Sequence, residues 1–129
     1  QYTMLCAPIT AQIGAIEALK NGKDSVAAMR REYDRRRRFV LSRLSRMGLE
    51  CIEAMGAFYL FPSVKRTQLT AEEFTERLLE QQHVVVVPGD VFGPSGKGHV
   101  RCSYATSLEE LKVAMERMEH FLEHVHEKD

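Results

Sequence analysis

The chain has 129 residues, and its 18 basic and 18 acidic side chains balance to a formal net charge of zero. That length is expected to form a single domain, 1–129, burying roughly two-thirds of its unfolded surface. The balanced charge leaves no overall field to recruit nucleic acid or an anionic membrane, and no apolar run approaches the ~20 residues that span a bilayer.

The opening Gln1-Tyr2-Thr3-Met4-Leu5-Cys6 has neither a basic region nor the long apolar stretch of a secretory signal. Its first residue is not Met, which is compatible with a piece of a longer chain. Cys6, Cys51 and Cys102 are scattered, odd in number and without a Cys-x-x-Cys pair. They read as reduced, mostly buried thiols of a cytosolic protein.

Pro8 and Thr10 open a helix carrying Ile13 and Ile16, which is expected to end at Asn21-Gly22 with a left-handed stop. Asp24 or Ser25 caps a longer second helix. Its apolar positions Val26, Met29, Tyr33, Val40, Leu44 and Met47 fall at helical spacing, and Gly48 stops it. A strand is expected over 49–53. Another over 57–61 is apolar on both faces, as in a central strand covered on both sides. Thr70-x-x-Glu73 is a capping box for a helix running to about Gln82. The β-branched run 84–87 reads as a strand, and strand–helix–strand in that order implies a parallel pair with a right-handed crossover. Ser107-x-x-Glu110 caps the last helix, with Leu108, Leu111, Met115, Met118, Leu122 and Val125 as its apolar stripe. The fold class is therefore α+β (mixed α/β): two leading helices, a small mixed sheet of about four strands, and a closing helix.

The stretch with most chemical content is 88–105. A glycine-rich loop containing Gly89, Gly93, Gly96 and Gly98 runs into a short strand. In that strand Val100, Cys102 and Tyr104 point one way, and His99, Arg101 and Ser103 the other. A guanidinium on a strand beside a permissive loop suits a carboxylate, because its planar fork matches two oxygens at once. The loop does not read as a phosphate cradle. Gly98 follows Lys97 where Ser or Thr is needed, Val91 stands where the first glycine should fall, and the loop feeds a strand, not a helix N-terminus.

Two other patterns are weaker. His120-Phe121-Leu122-Glu123-His124 matches H-x-x-E-H, but only five residues follow to supply a third metal ligand, so no metal site is expected. Arg30, Arg31, Arg35, Arg36, Arg37, Arg38, Arg43 and Arg46 make the second helix basic. Consecutive arginines spread around a helix instead of forming one face, and no aromatic residues interleave them, so nucleic acid is not the expected partner. A stand-alone module holding nucleic acid or an acidic partner through residues 30–46 is the alternative from a different class.

Three segments together resemble the class I/II pyridoxal-phosphate aminotransferases of the aspartate aminotransferase fold type. Gly56-Ala57-Phe58-Tyr59-Leu60-Phe61-Pro62 resembles the family's glycine-aromatic strand. Residues 89–105 resemble its GxxFGxxGxGxxRxSxA signature through Gly89, Phe92, Gly93, Gly96, Gly98, Arg101, Ser103 and Ala105. Residues 8–19, with Gln12, Ala18 and Leu19, resemble the segment leaving the large domain. The resemblance implies the C-terminal small domain of a longer enzyme that moves an amino group from an L-amino acid to a 2-oxo acid. It implies that Arg101 binds the substrate α-carboxylate and that Gly56 and Ala57 lend backbone to the cleft. It also implies pyridoxal 5'-phosphate as cofactor and a cytoplasmic homodimer as the full-length form. The cofactor-linked lysine, the pyridine-nitrogen aspartate and the phosphate cup belong to the large domain, and none of those motifs occurs here. A lyase or synthase of the same fold would use the same arginine.

Overall fold

A computed structural model describes residues 5–126; residues 1–4, read above for a secretory signal, lie outside that range. The described chain forms helices α1 (Ile9–Asn21), α2 (Lys23–Arg46), α3 (Ala71–Gln82) and α4 (Leu108–His124), and strands β1 (Tyr59–Leu60), β2 (Val87–Pro88) and β3 (Val100–Ser103). Its contacts divide it into two units, 1–32 and 33–129.

In the first unit, α1 follows Pro8 and buries no residue. Ile9, Ile13 and Ile16 are 66%, 61% and 52% exposed, so the apolar stripe of α1 is largely open. The expected left-handed stop at Gly22 is not there. Gly22 has φ −80 and bonds back to Ala18 O, while Val26 N bonds Gly22 O, so one helical turn passes almost directly into the next.

The second unit holds the core. Val40 and Leu44 of α2, with Met47 and Leu49 just beyond it, pack with Leu60, Val64, Phe74, Leu78, Val100 and Tyr104 and with α4. Gly48, at φ +70, ends α2 as expected, and the Arg66 guanidinium lies where a Gly48 side chain would stand, donating to Met47 O. The Thr70 capping box forms in full, with Thr70 Oγ1 accepting from Glu73 N at 3.1 Å and Glu73 Oε2 from Thr70 N at 2.8 Å. Phe74 and Leu78, one turn apart, are the buried face of α3. In α4, Leu111, Met115, Met118 and Phe121 are buried. Leu122 packs half-buried against the core as expected, and Phe121 is buried beside it, its ring meeting Phe74 edge-on at 5.3 Å.

The class is α+β, with three strands instead of about four and both pairings antiparallel. The order is β1-β3-β2, with Tyr59 opposite Ser103 and Val87 opposite Arg101. The expected parallel pair is therefore not formed, because β3 inserts between the two strands that α3 connects. β1 is consequently an edge strand, not a central one. The expected strand over 49–53 is also absent. Leu49 N bonds back to Leu44 O at 2.9 Å and Glu50 O accepts from Ser63 N at 2.7 Å, while the far end is held by Arg37, which donates to Glu53 at 2.8 Å. Of the run 84–87, Val84 and Val86 are buried while Val85 is exposed, and only Val87 enters the sheet.

Replacing the helix cap by Thr70→Ala removes one satisfied N-terminal donor. It should lower stability by about 1 kcal/mol, read as a lower urea midpoint at unchanged m-value.

Candidate functional site

β3 is the central strand, and its alternation is as the sequence implies: Val100, Cys102 and Tyr104 are buried, while Arg101 and Ser103 face away from the core. Burial drives the Cys102 thiol up to about 12, so it stays protonated and serves as packing, not as a nucleophile. Cys51 is half-buried and its thiol is likewise raised by burial, whereas Cys6 is exposed.

The loop before β3 is closed by its own backbone. A Cβ on Gly89 would overlap Gly96 O, and one on Gly96 would overlap Gly89 O, so the two chain segments can lie together only as glycines. Two short 3-10 turns, Gly89–Phe92 and Pro94–Gly96, fill the loop. Several of its N–H groups bond inward: Gly89 to His99 O at 2.8 Å, Gly93 to Asp90 O at 3.1 Å, Gly96 to Gly93 O at 2.9 Å and His99 to Gly96 O at 3.0 Å. Donors spent in this way cannot cradle a phosphate.

Arg101 is half-buried. Its guanidinium carbon lies 4.4 Å from the Tyr59 ring centre and 4.6 Å from that of Phe92. Tyr59 comes from β1, where it pairs with Ser103, two residues along the same face from Arg101. Phe92 comes from the glycine loop and meets Phe61 at 6.2 Å, and Phe61 stacks on His99 at 5.5 Å with only 7° between the planes. Among the described residues, no carboxylate or carbonyl takes the Arg101 donors. A charged fork with open donors, against an aromatic wall, is a receiver for a planar anion.

Gly56 and Ala57 form the bend entering β1. A Cβ on Gly56 would meet nothing within 4 Å, and Ala57 has φ 59. The bend is tied to the end of β3: Tyr104 N donates to Phe58 O at 3.0 Å and Tyr104 Oη to Ala57 O at 2.9 Å. Burial raises the Tyr104 hydroxyl above its usual value, which keeps the donating proton in place. The structure thus links Arg101, Gly56 and Ala57, the candidates named from the sequence, through one strand. Sequence reading assigned no part to Tyr59 beyond its place in the glycine-aromatic segment.

The other patterns resolve differently. Arg37 is held by Asp34 and Glu53, both at 2.8 Å, Arg38 by Asp34 at 2.9 Å and Arg43 by Glu119 at 2.7 Å. The Arg37 guanidinium, bonded to Asp34, holds that carboxyl below its ordinary value. His120 and His124 stand one turn apart with ring centres 4.5 Å apart. His124 Nδ1 bonds His120 O at 2.8 Å and Gln82 reaches His120 Nδ1 at 3.3 Å. Among the described residues no group of three or more His, Cys, Asp or Glu could hold a metal ion, and no helix is long and apolar enough to cross a membrane.

The family described as aminotransferase class I and II matches residues 2–118. The chain belongs to that family. YugH of Bacillus subtilis, named as an aminotransferase, is 52% identical over 122 residues, covering 95% of this chain and 32% of that protein. The aspartate aminotransferase of Pyrococcus abyssi is 47% identical over 123 residues, with 94% and 32% covered. Among solved structures, the aromatic aminotransferase of Pyrococcus horikoshii superposes with a TM-score of 0.80 at 50% identity, covering 83% of this chain and 29% of that one. The chain spans about a third of the length of the curated relatives it matches.

The loop closure is open to direct measurement. Gly96→Ala forces two backbones apart and should cost about 1–3 kcal/mol in urea unfolding, whereas Gly56→Ala, facing open space, should stay within about 0.5 kcal/mol of the parent.

Proposed function

We propose that this chain is the C-terminal small domain of a pyridoxal-phosphate-dependent aminotransferase and that it supplies the receiver for the substrate α-carboxylate. The observation that carries this reading is Arg101: half-buried on the central strand, its donors open, beside the loop that matches the family signature. Relatives at 52% and 47% identity named as aminotransferases support the reaction class.

The residues described here do not themselves fit the cofactor. The loop amides of Gly89, Gly93, Gly96, Lys97 and His99 are spent internally, and Lys65 lies along Gly98, where its Cε would stand 2.8 Å from an added Cβ. No step through the cofactor is therefore assigned to this chain; in this reading the large domain of the full-length enzyme holds it. Arg101 grips the carboxylate of the amino acid, and later of the 2-oxo acid, through two parallel N–H···O bonds. That grip fixes the rotation of the bound substrate about its Cα. Gly56 and Ala57 set the cleft edge, held at a constant distance from Arg101 by Tyr104.

The largely open stripe Ile9, Ile13 and Ile16 is the surface on which, in this reading, the large domain of the same chain rests. The parent is then a cytosolic homodimer acting on amino acids and 2-oxo acids.

Two outcomes follow. The isolated 129-residue chain, given pyridoxal phosphate, an amino acid and 2-oxoglutarate, should show no transamination, and measurable turnover would overturn the reading. In the full-length enzyme Arg101→Lys keeps the charge but loses the fork. Charge-assisted hydrogen bonds contribute about 1.5–3 kcal/mol each, so KM for every amino acid should rise about tenfold or more. Unchanged kinetics would remove Arg101 from the site.

A further inference from the structure

The arginines of this molecule are held in different ways. Arg37 and Arg43, also half-buried, are immobilised by carboxylates: Asp34 and Glu53 for the first, Glu119 for the second. A carboxylate partner fixes a guanidinium but occupies the same N–H edges that a carboxylate ligand would use. Arg101 is placed by rings instead, with Tyr59 at 4.4 Å and Phe92 at 4.6 Å from its central carbon. The π-face of a ring attracts the cation without taking up its N–H donors. Ring contacts can thus hold a guanidinium in position while leaving its fork free.

Phe92 is 51% exposed, so core packing does not account for a large apolar ring at this position. Its setting is nonetheless built. The Gly89–Gly96 contact closes the loop that carries it, and the Phe61 ring, itself stacked on His99, meets it edge-on at 6.2 Å and 70°. Tyr59 is fixed independently by its pairing with Ser103. Two separate elements therefore converge on one cation.

We infer that Tyr59 and Phe92 are positioning residues that hold the Arg101 fork ready for the substrate carboxylate. An arginine side chain has several rotatable bonds, and any freedom left in it must be surrendered when the ligand docks. Removing a ring should therefore weaken every carboxylate substrate alike, whatever its side chain, and act on binding more than on the bond-making step. The inference rests on Arg101 being the carboxylate receiver.

The test uses the full-length enzyme with Phe92→Leu, Tyr59→Leu, Phe92→Tyr and Arg101→Lys. It measures KM and kcat for an amino donor and a 2-oxo acceptor, and Ki for propionate, an unreactive carboxylate. Leucine retains apolar bulk without a π-face. Each leucine variant should raise KM and the propionate Ki together, by roughly three- to tenfold, with kcat changed less than twofold. Phe92→Tyr should recover most of that loss. If Arg101→Lys weakens propionate while both leucine variants leave it unchanged, the positioning role is overturned and the carboxylate reading stands. If Arg101→Lys also leaves propionate and KM unchanged, the carboxylate reading itself has failed. A tyrosine variant as weak as the leucine one would overturn the role assigned to the ring. Should Phe92→Leu not fold, Tyr59→Leu and the propionate titration of Phe92→Tyr decide the same question.

Discussion

The site depends on the close approach of Gly89 and Gly96. With no Cβ on either residue, the start and end of the loop lie against each other, and several of its amides turn inward to its own carbonyls. Closing the loop this way does two things at once. It brings Phe92 beside Arg101, and it delivers the chain into β3 in the register that puts Val100, Cys102 and Tyr104 in the core. The opposite face of β3 then carries Arg101 by simple alternation. A side chain at either glycine would separate the segments, and both consequences would be lost together.

Charge is handled in two ways in the second unit. The arginines of α2 look like an electrostatic surface in sequence, yet Arg37 and Arg43 tie α2 to Glu53 and Glu119 in other segments, while Arg38 pairs with Asp34 within the helix. Arg37 secures the irregular stretch after α2, reaching both Glu53 and the carbonyl of Ala54. Arg43 joins α2 to α4. Arg101 is free of such partners among the described residues and is set against aromatic faces. The difference in partner chemistry, more than the count of cations, separates these structural arginines from Arg101, the proposed receiver.

Legibility followed the range of the interaction. The Thr70 box, the Ser107 cap, the Gly48 stop and the alternation of β3 are contacts between residues a few positions apart, and all were readable. The stop at Gly22 was misread because glycine permits a left-handed turn without requiring one, and here the backbone stays right-handed. The burial of Phe121 beside the expected Leu122 was decided by Phe74, 47 positions earlier, whose ring it meets. Strand order failed for the same reason. The alternation that predicts a strand carries no information about its neighbour, and β3, last in sequence, entered between the two strands expected to pair.

The sequence by itself determined the caps, the two-sided character of β3, the glycines that permit the loop and the single arginine aimed away from the core. These follow from local sterics and from the periods of helix and strand, which act over a few residues. Only the tertiary structure decided that Tyr59 and Phe92 meet at Arg101, 42 and 9 positions away in the chain. Their meeting requires a closed loop, an antiparallel register and a strand order, and each of these comes from contacts between segments distant in sequence.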